Sequence, residues 1–178
     1  TAFLKANYPA EYLSALLTSV KSSLEKAAIY LAECRAMGIE VTVPDVNRSL
    51  SDFAPVLAQP NGDGATADAG ASQILFGLSA VRNVGAGLVE FILEARDDGG
   101  PFEDFYDFCQ RVNTQVLNKR TIESLIKAGG FDSMGHPRQG LLTVFEQIVD
   151  ATIARRKEHD MGVMSLFGEA EDGPAFDE

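Results

Sequence analysis

Val84-Gly85-Ala86-Gly87 is the stretch of this 178-residue chain best suited to holding an anion. Gly85 and Gly87 would let the backbone turn tightly and come close to a ligand. The backbone N–H groups there, with the start of a following helix, make a ready phosphate site. Such a site holds a nucleic-acid backbone without reading its bases. Gly-x-Gly between two helices also occurs as an ordinary turn, so these residues alone leave a purely structural corner open.

Composition narrows the chemistry. A hydrophobic fraction of 46% supplies a real core. The formal net charge of -11 argues against a broad electrostatic nucleic-acid binder. It leaves room for a local phosphate contact supported by a larger partner. Beyond Glu158 the chain carries Asp160, Glu169, Glu171, Asp172, Asp177 and Glu178 with no Lys or Arg, which reads as a solvated, flexible tail. Cys34 and Cys109 lie far apart in helical segments and read as buried small hydrophobes in a reducing cytoplasm. His136 and His159 share no spacing with Cys or carboxylate ligands, so no metal site is expected. No triad or Walker-type loop is visible, which makes an enzyme acting alone the weakest reading. No run approaches the length of a membrane span, and the N-terminus is not a signal peptide. The chain opens in mid-pattern at Thr1-Ala-Phe-Leu-Lys5, which reads as a piece of something larger.

The elements that would position these residues are mostly helical. Pro9 opens a helix over residues 8–20 whose apolar face is Tyr12, Leu13, Leu16, Leu17 and Val20. Ser22-Ser-Leu-Glu25 reads as a capping box for a second helix, which runs to Met37 and stops at Gly38. Residues 39–43 alternate toward Pro44 as a short strand or extended link. Asp52–Val56 and Gln73–Phe76 could pair as a small hairpin around the Gly-rich segment Gln59–Gly70. Residues 78–83 and 88–96 are predicted as the two helices flanking Val-Gly-Ala-Gly. Phe102, Phe105, Tyr106 and Phe108 fit the core face of a short connector helix better than a base-stacking platform. Asn118 can cap a helix through Ala128, broken by Gly129-Gly130. Phe131-Asp-Ser-Met-Gly135 then turns into a long helix from about Pro137 to His159. Two hairpins bridged by a connector helix form the tandem helix-hairpin-helix arrangement, which binds duplex backbone across the minor groove. The second hairpin lacks Gly-x-Gly and reads as a structural mate.

Several motifs carry a resemblance. Asn7-Tyr-Pro-Ala-Glu-Tyr12, Glu33-Cys-Arg-Ala-Met-Gly-Ile-Glu-Val41, Pro44-Asp-Val-Asn47 and Phe76-Gly-Leu-Ser-Ala-Val-Arg-Asn-Val-Gly85 are among them. Phe105-Tyr-Asp-Phe-Cys109, Asn118-Lys-Arg120, Leu125-Ile-Lys-Ala-Gly-Gly-Phe-Asp132 and Ser165-Leu-Phe-Gly168 complete the series. In this order they resemble the bacterial DNA polymerase III alpha subunits, the C-family replicative polymerases. The resemblance implies a mainly α fold: a helical fingers segment with a small β-hairpin, then a tandem helix-hairpin-helix domain. It implies residues 1–72 as the end of the fingers, 73–158 as the helix-hairpin-helix domain, and 159–178 as a flexible linker.

The resemblance also implies function. Arg82, Val84, Gly85, Ala86, Gly87, Lys119 and Arg120 would face duplex primer-template DNA. Val163, Met164, Ser165, Leu166 and Phe167 would form a peptide that binds the ring-shaped sliding clamp, with Val163 where the family usually has Gln. Gly162 and Gly168 would keep that peptide extended. The parent protein would be a cytoplasmic DNA-directed DNA polymerase using Mg2+ upstream of this region and working with other replicase subunits. The 178 residues alone would carry no catalytic residue and no metal. Two alternatives stay open: the error-prone alpha-type polymerase, and a helical protein-interaction module without DNA contact.

Overall fold

The structure is a computed structural model that describes residues 2–56, 73–113 and 117–168, the side chains of 163–168 excepted. Helices dominate. Three N-terminal helices, α1 (Ala2–Asn7), α2 (Pro9–Ser19) and α3 (Leu24–Ala36), precede three short strands, β1 (Glu40–Val41), β2 (Ala54–Val56) and β3 (Gln73–Leu75). A 3-10 turn, Leu78–Ala80, leads into α4 (Ala86–Gly99), α5 (Phe105–Arg111) and α6 (Lys119–Ala128). A second 3-10 turn, Asp132–Met134, leads into the long α7 (Arg138–Gly168).

The expected β-hairpin is present, and a third strand joins it. β2 pairs antiparallel with β3, placing Pro55 opposite Ile74. β1 pairs parallel with β3 on the other side, Val41 opposite Ile74. The order β1-β3-β2 leaves Pro55 on an edge strand, where its missing N–H breaks no ladder. Pro9 begins α2 as read from the sequence. The capping box does not form: Ser23, not Ser22, is the N-cap of α3, and it makes no side-chain cap bond. That shift puts Glu25 at the second helical position, one short of where a capping-box carboxylate reaches back.

Two cores organise the chain. The first gathers Ala10, Leu13, Leu17, Cys34, Ile39, Phe53 and Ile74. Burying a side chain such as Leu13 or Leu17 contributes about 1.5–3 kcal/mol. The second gathers residues of α4, α5, α6 and α7 around Phe105, Phe108 and Phe131. Phe131 meets Phe105 and Phe108 edge-on, at centroid distances of 5.1 and 4.9 Å. Phe102, Phe105 and Phe108 are thus core, as expected, whereas Tyr106 is exposed and its hydroxyl accepts from Arg155 instead of joining the core. Asp104 caps α5 through the Asp107 N–H.

The cores interlock across the expected boundary near Ser72. Ile74, just after it, packs into the first core, while Val46, well before it, packs into the second. Val46 N–H donates to the Gly130 carbonyl at 2.9 Å. Asn47 exchanges two hydrogen bonds with the Phe102 backbone, at 2.8 and 2.9 Å. Arg96 donates to the carbonyls of Val46 and Ser49. Phe76 touches both cores.

Candidate nucleic-acid interface

The first hairpin differs in detail from its sequence reading. Its leading element is only the 3-10 turn Leu78–Ala80, not a helix over 78–83. The N–H groups of Leu78 and Ser79 donate to the carbonyls of Leu50 and Ser51, which draws this segment against the chain before β2 instead of into a helix. Gly77 is required there. A Cβ on it would lie 2.6 Å from the Asp52 carbonyl carbon.

A turn closed by Val84 N–H to the Val81 carbonyl follows, at 3.1 Å. Its left-handed residue is Asn83, with φ 65°, and not a glycine. Asn tolerates this region better than other residues with a Cβ. Gly85 is the N-cap of α4 with φ -83°, and Gly87 lies inside its first turn. The expectation that these glycines make the tight turn is therefore corrected. A Cβ on either would meet none of the described residues within 4 Å. Their bareness leaves the solvent side of the α4 N-terminus open.

That N-terminus has the electrostatics of an anion site. Gly85, Ala86 and Gly87 are exposed. α4 has no side-chain cap, so its first N–H groups point outward without a side-chain acceptor. The helix dipole adds partial positive charge there. Val84 plays another part: its side chain is buried in the second core and its N–H is spent on Val81. It anchors the hairpin beneath the exposed residues.

The cations separate. Lys119 lies 2.8 Å from Asp150 and 3.6 Å from Glu146, both on α7, and the Asp150 hydrogen bond raises its pKa. It ties α6 to α7. Arg120 is exposed and its guanidinium is in none of the ion pairs among the described residues. Asn118 caps α6 as expected, accepting from the Arg120 N–H at 2.9 Å. Arg82 is exposed on the rim of a cleft of about 730 Å³ that runs between β1 and α6, with Arg35 and Lys127 also lining it.

Asn83 joins the hairpin to α6. Its amide Nδ2 donates to Ser124 Oγ at 2.9 Å, and its carbonyl accepts from Thr121 Oγ1 at 2.9 Å. Ser124 Oγ in turn donates to the Arg120 carbonyl. The turn before Gly85 and the first turns of α6 around Arg120 are thereby neighbours. Sequence reasoning ended a helix at Asn83 and missed this role. An Asn just ahead of Val-Gly, where a turn is required, was the available signal.

The second hairpin is closed on itself. Gly129 and Gly135 take left-handed conformations, and Arg138 makes a forked pair with Asp132 and donates to the Lys127 carbonyl. α7 runs on to Gly168, beyond the expected end near His159, so residues 163–167 are helical backbone and not extended. A lone Gly162 costs about 1 kcal/mol against Ala, too little to stop a long helix. The side chains of Val163, Met164, Ser165, Leu166 and Phe167 lie outside the described residues. Among the described residues, no helix is long and apolar enough to cross a membrane, and no group of three or more His, Cys, Asp or Glu is placed to hold a metal ion.

Comparison with known proteins agrees with this architecture. Residues 38–141 match the helix-hairpin-helix motif family, and the chain belongs to it. Over 97% of its length the chain is 49% identical to DNA polymerase III subunit alpha of Saccharopolyspora erythraea and 47% identical to that of Mycobacterium tuberculosis. It is 42% identical over 98% of its length to the subunit of Thermus aquaticus. The chain spans about 13% of the length of each of these relatives.

Proposed function

We propose that this chain is the duplex-gripping segment of a bacterial replicative DNA polymerase. The observation that carries the reading is the bare N-terminus of α4 at Gly85-Ala86-Gly87, without a side-chain cap and exposed near the start of α6, where Arg120 makes no ion pair among the described residues. Backbone N–H groups and one guanidinium suit consecutive phosphates and give no base preference. DNA synthesis, and the Mg2+ it uses, belongs in this proposal to parts of the longer polypeptide outside this chain. The names of the relatives favour the replicative subunit over the error-prone type. The parent protein is proposed to work in the cytoplasm with other replicase subunits.

The test is duplex binding as a function of salt. Each phosphate neutralised contributes a slope of about -0.9 in log K against log salt. Arg120→Ala should flatten the slope by about one unit, while Lys119→Ala should leave it unchanged. A chain with no salt-dependent duplex affinity would sink the reading. It would favour a protein-interaction module, the alternative that the net charge of -11 supports.

The proposal includes the sliding clamp as a partner of residues 163–167. Leu166 and Phe167 have the apolar bulk to fill a partner's pocket, and Val163 forgoes the polar contacts a Gln would add. Binding requires the last turns of α7 to open, and Gly162 makes that end the cheapest to unwind. A variant with both Leu166 and Phe167 changed to Ala should lose clamp binding in a surface-immobilised assay. Equal binding by both forms would remove this peptide from the mechanism.

A further inference from the structure

We propose that Asn83 is a positioning residue that sets the phosphate-binding end of α4 in register with Arg120. The inference rests on the duplex-gripping reading and names the device that would make it work. Asn83 is the one non-glycine residue with positive φ among the described residues, a conformation Asn adopts more readily than other residues with a Cβ. Two hydrogen bonds hold it, and both end on α6. The Asn83 amide donates to Ser124 Oγ, and Thr121 Oγ1 donates to the Asn83 carbonyl, each at 2.9 Å.

The surroundings show why these bonds matter. A Cβ at Gly85 or Gly87 would meet none of the described residues within 4 Å, so these two positions add no lateral contact to the tip of α4. Val84 anchors the hairpin from below, in the core. The Asn83 bonds are the lateral tie. They act two residues before Gly85 and on the residues next to Arg120 along α6. Ser124 relays the tie, because its hydroxyl accepts from Asn83 and donates to the Arg120 carbonyl at 2.9 Å. A rigid phosphate track needs its donors fixed relative to one another before the ligand arrives. Asn is suited to the task, since it accepts the left-handed conformation and still has an amide to donate.

The test uses the 178-residue chain and a 20-base-pair duplex, with affinity measured across a salt series. Asn83→Gly keeps the left-handed backbone and removes only the amide. Ser124→Ala keeps Asn83 and removes its half-buried hydroxyl partner on α6. Each should lower duplex affinity about tenfold and flatten the salt slope by about one unit, with the melting temperature little changed. The double variant should bind no worse than either single variant, since both break one tie. Variants that fold and bind with wild-type affinity and slope would overturn the inference, as would additive losses in the double variant. If wild type itself shows no salt-dependent duplex binding, the duplex-gripping reading fails and this inference fails with it. Wild-type binding with unaffected variants removes the positioning role alone.

Discussion

At the scale of single residues, the candidate interface is defined by what is missing. Gly87 sits in the first turn of α4 at ordinary helical geometry, and a Cβ there would touch nothing within 4 Å. For the fold alone, Ala would serve better, since Gly in a helix interior costs about 0.8–1 kcal/mol against Ala. On the proposed duplex-gripping reading, a ligand that must approach the backbone accounts for a glycine at this exposed position. Gly87→Ala should therefore melt at the same temperature or slightly higher while binding duplex DNA several-fold more weakly. Thermal denaturation and fluorescence anisotropy on the same preparation check both halves. A variant with raised stability and undiminished affinity would leave the glycine without a functional reason. Arg120 and Lys119 make the complementary point about cations. Adjacent in sequence and alike in charge, they differ in that α7 supplies carboxylates only to Lys119. No inspection of Asn118-Lys-Arg120 could separate them, because the distinction depends on a helix 31 residues away.

At the scale of elements, the helices with strong local signals were legible, and those fixed by long-range bonds were not. Pro9 at the start of α2, Asn118 as a cap and Gly129 as a left-handed terminator all act within a turn of their own helix. The 3-10 turn at Leu78–Ala80 was misread as a helix because its N–H groups are claimed by Leu50 and Ser51, almost 30 residues earlier. Pro44-Asp-Val-Asn47 enters the sequence reading through the resemblance alone, because its partners are distant in the chain. In the fold, the Asp45 carboxylate accepts from the Asn47 N–H and from Ser133 Oγ, and Asn47 clasps Phe102. The aromatic pattern was informative in kind, since Phe105 and Phe108 at helical spacing fit a core face better than a base-stacking platform. Its centre was not visible, because Phe131 comes from the second hairpin. Phe131 is 1% exposed and edge-on to two rings, so Phe131→Ala should cost about 3–5 kcal/mol. Urea denaturation would measure it. A loss below 1 kcal/mol would mean that the hairpin collapses freely into the gap and is no keystone of the second core.

At the scale of the whole molecule, the question is whether two cores make one cooperative unit. The chain crosses between them repeatedly. Ile74 belongs to the first core and Val46 to the second, Phe76 packs on both, and Arg96, Phe102 and Gly130 bond the 45–49 segment into place. Opening one core alone would expose part of the other's wall, so the two should unfold together. Each core contains one thiol that reports on it: Cys34 in the first and Cys109 in the second, both fully buried. Burial raises both pKa values, and pushes that of Cys109 up to about 12. At pH 8 the native Cys109 is then a thiolate in only about one molecule in ten thousand, so native thiols should resist alkylation and unfolded ones should react. The sign of the pH effect follows. A group with a raised folded-state pKa favours the native state below its unfolded pKa, and that contribution is lost as pH rises toward about 12. Labelling at pH 8 across a urea series, with each site quantified by mass spectrometry, should give one shared midpoint for Cys34 and Cys109. If Cys34 reacted at distinctly lower urea than Cys109, the first core would be an independent unit. The bonds at 45–49 would then guide docking between domains and would not couple their folding.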